Sequence, residues 1–387
     1  MRLKKMVLCV TAVVLCVTLL VAGGARYAVR DTAPICDATG GTVIGSSKVG
    51  EWHEAAPIDH SMVRDTRTHH LFVVDGMASP LVRSKVVMLS PTGRVLRTTE
   101  LAGEATAAAV APLHGLLFVA NGTRPSVSVL STATGSLLRT IPVGLPARTI
   151  AVDEAAGEFV VGAYVLGPRV LSQVRLFDMR TGQLRRTIPV PTGTAYYQLV
   201  VDATSRHAFV SMGHDRYGPP LIWMYDLRNG KLLRILHLGV NRWATDMVID
   251  DRLQQVVVLH VDNTTDLGGR GAITTIDARS GRIVRTLQTP PNPQNVAVDV
   301  QSGRLWVAGY GSGPKNKIPP SYVALLDGHS GRVLSSRRLD GILALAADPP
   351  MRRAFLEREV AYHPEQWNLG PNYLPIGCVT LLDFTHS

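Results

Sequence analysis

A short apolar run ending in an acid or hydroxyl returns seven times along this chain, and no other feature constrains its fold as strongly. The runs are VVMLS (86–90), VSVLS (127–131), VRLFD (174–178), IWMYD (222–226), ITTID (273–277), VALLD (323–327) and VTLLD (379–383). A second set precedes them: LFVV (71–74), LFVA (117–120), FVVG (159–162), AFVS (208–211), VVVL (256–259), LWVA (305–308) and AFLE (354–357). A period of roughly 40–50 residues made only of short β-rich runs points to a β-propeller, whose blades are four-stranded sheets. The 387 residues suit one closed domain of seven blades. No amphipathic helical period persists beyond the N-terminal segment.

Each unit reads as four strands, A to D. Asp178 ends a strand C, Met179-Arg180-Thr181-Gly182 turns the chain, and LRRTIPV (184–190) reads as strand D. A Gly closing the turn supplies positive φ, and the Asp side chain caps the turn amides. The same chemistry recurs at Asp226/Gly230, Asp277/Gly281, Asp327/Gly331 and Ser131/Gly135, so these residues are read as structural. YQLVVD (197–202) is then the innermost strand A. The last strand C, VTLLD, has no strand D after it, whereas Asp37-Ala38-Thr39-Gly40 looks like a C-to-D turn followed by a D-like stretch over 41–50. The expected fold is therefore all-β: a single seven-bladed propeller of four-stranded antiparallel blades over residues 31–387. An N-terminal strand completes the last blade and removes its exposed edge.

Units such as GSLLRTIPVGLPARTIAVD (135–153) and SGRIVRTLQTPPNPQNVAVDVQSGRLWVAGYG (280–311) resemble the YVTN-type β-propeller repeat family. The resemblance covers essentially everything after the N-terminal segment. It implies an exported or surface propeller and supplies no catalytic residues.

Residues 1–30 read as a leader helix: Arg2, Lys4 and Lys5, an uncharged run from Met6 to Ala25, then Arg26 and Arg30. Basic residues before an apolar run direct the rest of a chain across a membrane. The run is long enough to span a bilayer, and Gly23-Gly24-Ala25 offers small residues for cleavage. An extracytoplasmic protein is expected, either anchored by this helix or secreted after its removal. Of the four cysteines, Cys9 and Cys16 lie in the leader. Cys36 and Cys378 could join the ends of the ring by a disulfide, though the register places them toward opposite ends of the last strand C.

The formal charge of +10 raises the question of polyanions. Many of the Arg and Lys recur at equivalent places, the C-to-D turn and strand D of each unit. Charge spread round a rim protects sheet edges from pairing, so nucleic acid is not the expected partner.

Candidate ligand residues come from two alignments. The B-to-C loops vary while the C-to-D turns stay uniform, which marks a binding face. Those loops contain His214 and Asp215 in 212–220, and His260 at the head of 260–271. The stretch 309–321 is another, and 357–377 carries an aromatic group including Trp367. Aligning strands A on Asp65, Asp153, Asp202, Asp250 and Asp299 brings Ser61, Thr149, Gln198, Asp246 and Asn295 into one ring. His60, Arg148, Tyr197, Thr245 and Gln294 form a second, with Arg242 and Trp243 close by. The next positions along, Met62, Ile150, Leu199, Met247 and Val296, are apolar and belong between blades.

The histidines lack His-x-His or HExxH spacing, so no metal or other cofactor is expected. GxSxG, P-loop and dinucleotide motifs are absent as well. The function expected is non-enzymatic: a monomeric propeller whose loop face binds a protein, peptide or cell-envelope polymer. A lactonase-like hydrolase or lyase with its site in the funnel is the first alternative, and polyanion binding the second. Asn121-Gly-Thr and Asn263-Thr-Thr match glycosylation acceptors, a pattern too short to alter this reading.

Overall fold

Runs that are apolar on both faces can be buried only between stacked sheets, and the computed structural model contains seven such sheets. It describes residues 43–51, 61–75, 84–165, 171–191, 196–212, 221–239, 242–262, 270–310, 321–339, 342–348, 353–360 and 376–383. After β1 (Val43–Glu51) the strands fall in consecutive fours. Strands β2–β5 (61–100) form blade 1, β6–β9 (105–142) blade 2 and β10–β13 (147–190) blade 3. Strands β14–β17 (196–237) form blade 4, β18–β21 (242–289) blade 5 and β22–β25 (293–339) blade 6. Blade 7 takes β26 (Ile342–Asp348), β27 (Arg353–Val360) and β28 (Ile376–Asp383), and its fourth strand is β1.

The expected closure is present. β1 runs antiparallel to β28, with Ser46 opposite Thr380 and Lys48 opposite Cys378. The register marks β1 as a true strand D. In blades 1 to 6 the pairing slips by one residue just after the C-to-D turn: Phe177 faces Leu184 while Leu176 faces Arg186, and Leu130 faces Leu137 while Val129 faces Arg139. β1 repeats this slip at the same place, with Leu382 facing Val43 and Leu381 facing Gly45. Such a bulge twists the outer edge away from further pairing.

Seven hydrophobic cores lie between adjacent blades. One joins blades 1 and 2 through Phe72, Leu117 and Leu130. The core that closes the circle joins blade 7 to blade 1 through Phe355, Leu381, Met62 and Val73. Met62, Ile150, Leu199, Met247 and Val296 sit in these cores as expected, at 3–9% exposure.

The turns follow the sequence chemistry. Gly182 N–H donates to the Asp178 carbonyl at 2.8 Å, and the Asp178 carboxylate accepts from the amides of Arg180 and Thr181 at 2.9 and 2.6 Å. Those amide bonds, with Arg185, hold its carboxyl well below the usual range.

The outer arginines do more than guard an edge. Arg97, Arg139, Arg186, Arg234 and Arg285 occupy one register position, and each reaches the C-to-D turn of the next blade. Arg139 donates to the carbonyls of Arg180 and Met179 at 2.7 and 2.6 Å, and Arg285 to that of Gly328 at 2.8 Å. The stem of Arg234 lies against Gly281, where a Cβ would stand 2.9 Å from Arg234 Cδ and 2.6 Å from the Met224 sulfur.

Glycine substitution should therefore discriminate between local strain and inter-blade contact. Gly157 and Gly281 share a φ of +65°, but a Cβ at Gly157 meets nothing within 4 Å. Gly157→Ala is predicted to cost about 1 kcal/mol, the left-handed penalty alone. Gly281→Ala should cost at least about 2 kcal/mol because Met224 and Arg234 must also move. Equal losses in denaturant titrations would refute the contact.

Candidate functional site

Strand A of each blade runs from the face bearing the B-to-C and D-to-A connections, the loop face, to the face bearing the A-to-B and C-to-D turns, the turn face. In blades 2 to 7 a bulge interrupts strand A near its loop-face end, and the extra residues are Thr106, Arg148, Tyr197, Thr245, Gln294 and Leu343. Bulges re-aim a side chain, and they recur beside functional sites. Four of these positions belong to the second sequence ring; the bulge explains why they stand apart from the apolar period around them.

Arg148 shows what the bulge achieves. Its guanidinium lies 5.3 Å from the centroid of Tyr164, at the end of strand B in blade 3. It also stands 3.9 Å from Glu104 Oε2, in the connection leading into blade 2. The side chains are 30% and 17% exposed, so the pair is partly shielded from solvent. Gly122, in the B-to-C turn of blade 2, leaves the necessary room: a Cβ there would lie 3.0 Å from Arg148 Nη1. Gly122 N–H donates to the Glu104 carbonyl at 2.7 Å, and Glu104 N–H to Thr123 Oγ1 at 2.9 Å, which fixes both walls. A separation of 3.9 Å is Coulombic rather than bidentate, and Arg148 Nε is buried without a hydrogen-bond partner among the described residues. The site therefore offers a pre-oriented cation with donors to spare, backed by an aromatic ring.

The first sequence ring has another role at two of its positions. Ser61 Oγ accepts from the Ala108 amide of the next strand A at 3.2 Å, and Asp246 Oδ2 accepts from the Val296 amide at 2.9 Å in the equivalent place. These side chains clamp neighbouring blades. Thr149 is buried, while Gln198 and Asn295 are half-buried on the innermost strands. Asp246 keeps partial surface exposure, yet protein surrounds its carboxyl well beyond the first contacts. Desolvation raises its pKa to about 7 against the lowering effect of the Val296 and Met247 amides.

His260 lies inside blade 5 with no exposed surface, its Nε2 2.9 Å from Thr274 Oγ1. Threonines 274 and 286 continue that chain at 2.9 Å. The His260 ring is thus enclosed within the blade. Tyr197, Arg242 and Trp243 belong to strands A of blades 4 and 5, but their side chains are outside the described residues. His60, His214, Asp215 and Trp367 lie outside them too, as do Cys36 and the leader. Asn121 is 1% exposed and donates to Ser126 and Ser128, which leaves no room for a glycan. Among the described residues no group of three or more His, Cys, Asp or Glu could hold a metal, and no helix is long and apolar enough to cross a membrane. Residues that sequence reasoning missed are Glu104, Tyr164 and Gly122.

The fold and these inter-blade clamps define a seven-bladed β-propeller. No family model matches the chain, and no curated protein matches it. Hydrazine synthase of Kuenenia stuttgartiensis is similar in structure, with a TM-score of 0.62 at 14% identity over 88% of this chain and 100% of that one. Since 1432 chains of solved structures match, the likeness is to an architecture and not to an activity.

Asp246 makes stability depend on pH. Its folded pKa of about 7 exceeds the ordinary 3.8, so stability is full below 3.8 and falls as pH rises through 7. Asp246→Asn, which keeps an acceptor for Val296, should flatten the profile. It is predicted to be more stable than the parent at pH 8.5 by on the order of 3 kcal/mol. Denaturant midpoints at pH 5 and 8.5 measure this, and parallel profiles for the two proteins would contradict it.

Proposed function

We propose that this chain is a non-enzymatic, extracytoplasmic binding propeller whose loop face takes a protein, peptide or cell-envelope polymer by an acidic group. The observation that carries the reading is Arg148, held by a bulge between Glu104 and Tyr164 at the boundary of blades 2 and 3. A guanidinium fixed in this way loses little rotamer freedom on meeting a carboxylate or phosphate. Export is supported by the basic and apolar residues of 1–30 and by the resemblance of the repeats to YVTN-type propellers. Membrane anchoring by that segment fits its length. A hydrolase is not favoured at Arg148, because the carboxylate beside it, Glu104, is paired to the guanidinium itself, and the nearby Thr106 hydroxyl donates to the Ala147 carbonyl at 2.9 Å.

Titration calorimetry of the full chain with hexaglutamate peptide and with poly(glycerol phosphate) tests this. At least one probe should bind, and Arg148→Ala should weaken it about tenfold, or 1.4 kcal/mol. Tyr164→Leu is expected to weaken it by a few-fold through the lost cation–π contact. Binding of neither probe, unchanged affinity in folded Arg148→Ala, or turnover of a lactone or ester that this variant abolishes would overturn the proposal.

A further inference from the structure

The turn face plays no part in the loop-face reading, yet its chemistry is unusually ordered. Its capping acids point inward: Asp65, Asp153, Asp202, Asp250 and Asp299 are at most 6% exposed and accept amide hydrogen bonds within their own turns. Its cations point outward, among them Arg67, Arg180, Arg228, Arg252 and Arg279, all exposed. Over the rim, the C-to-D turns and outer strands of blades 1 to 6 carry fifteen Arg and Lys against five Asp and Glu. That excess equals the formal net charge of +10 for the whole chain.

Apolar side chains are interleaved with these cations. Among the described residues, eleven of the fifteen exposed large hydrophobics lie on the outer strands. In every one of blades 1 to 6 the first residue of strand D is among them: Val95, Leu137, Leu184, Leu232, Ile283 and Val333, at 38–48% exposure. Each stands immediately after its turn, at the turn-face edge. Leu113 and Leu253 project from A-to-B turns of the same face at 74% and 43% exposure. Exposed apolar residues scattered singly are ordinary, but one register position repeated round a ring is an organised surface. The chain also enters the propeller here. β1 starts at the turn-side end of blade 7, and only residues 26–42 separate it from the uncharged run 6–25.

We propose that the turn face rests on an anionic lipid bilayer, with the apolar ring in the headgroup region, arginines on the phosphates and the loop face directed away. Interfacial binding grows with buried apolar area and with cation attraction to anionic lipid, about 1 kcal/mol per Arg or Lys close to the surface. A nucleic acid or other soluble polyanion would use the cations and leave the apolar ring without a role. A second copy would bring like charges together. Tethering rests on the membrane-anchor reading of residues 1–30; the surface itself does not.

The full chain in nanodiscs of phosphatidylcholine, with and without phosphatidylglycerol, provides the test. Phenylglyoxal modification is read residue by residue by mass spectrometry. Arg67, Arg228, Arg252 and Arg279 should react about three- to tenfold more slowly in the discs containing phosphatidylglycerol. Arg124, exposed on the B-to-C turn of blade 2, should be unaffected. Leu113→Glu with Leu253→Glu should restore much of the lost reactivity. Equal protection on both faces, protection of Arg124 alone, or indifference to phosphatidylglycerol would overturn the proposal. If the chain does not enter discs, the anchor reading fails, and phosphatidylglycerol vesicles added to the same protein test the surface alone. Protection by vesicles then upholds the docking surface, and no protection overturns it. Protection by duplex DNA with none by vesicles overturns it in favour of a polyanion.

Discussion

The pairing of β1 with β28 is the contact on which the ring depends. It joins parts of the chain more than three hundred residues apart, and closing so long a loop costs about 5 kcal/mol of chain entropy. Met62, Leu71, Val73, Leu89, Phe355 and Leu381 meet in the core that this closure completes. Burial of each contributes about 1.5–3 kcal/mol, so the interface outweighs the entropy before its hydrogen bonds are counted. Without β1, strand β28 would present an open apolar edge, and blades 7 and 1 would lose the frame that holds their shared core. Every residue on either face owes its position to this circle.

Within that frame the two faces use their polar groups differently. On the turn face the acids serve the protein itself. Asp153 and Glu158 hold Arg206 across the boundary of blades 3 and 4, where Arg206 occupies the positive-φ position of its A-to-B turn. Its neighbour Asp153 has a raised pKa because burial outweighs the hydrogen bonds and the nearby guanidinium. Toward the loop face, Asp246 bridges blades as a poorly solvated carboxyl, and Arg148 has only a loose partner in Glu104.

The blades, their turns and the closing strand were legible because each is written locally. A strand C ending in Asp four residues before Gly carries its own turn chemistry, and apolar runs at a fixed spacing specify stacked sheets. Arg148 could be picked out by aligning strands A, but the bulge that sets its direction could not, since one extra residue leaves the apolar pattern intact. Tyr164 shares the A-to-B hairpin of blade 3 with Arg148, but the bulge hides their register, and Glu104 comes from the connection into another blade, which no sequence spacing links to Arg148. His260 looked available because it ends an apolar run next to a polar loop, and only the pairing with Thr274 places it inside the blade. The outer arginines were correctly placed at the rim. Their bonds to the next blade's turn needed the curvature of the ring to be seen.

Native-state hydrogen exchange tests the closure most directly. Amides of β28, such as those of Val379 and Leu381, are predicted to exchange as slowly as those of the third strands of other blades, because β28 lies between β27 and β1. Rapid exchange across β28 while the third strands of blades 2 to 6 stay protected would show an open edge there. That result would contradict the closed ring.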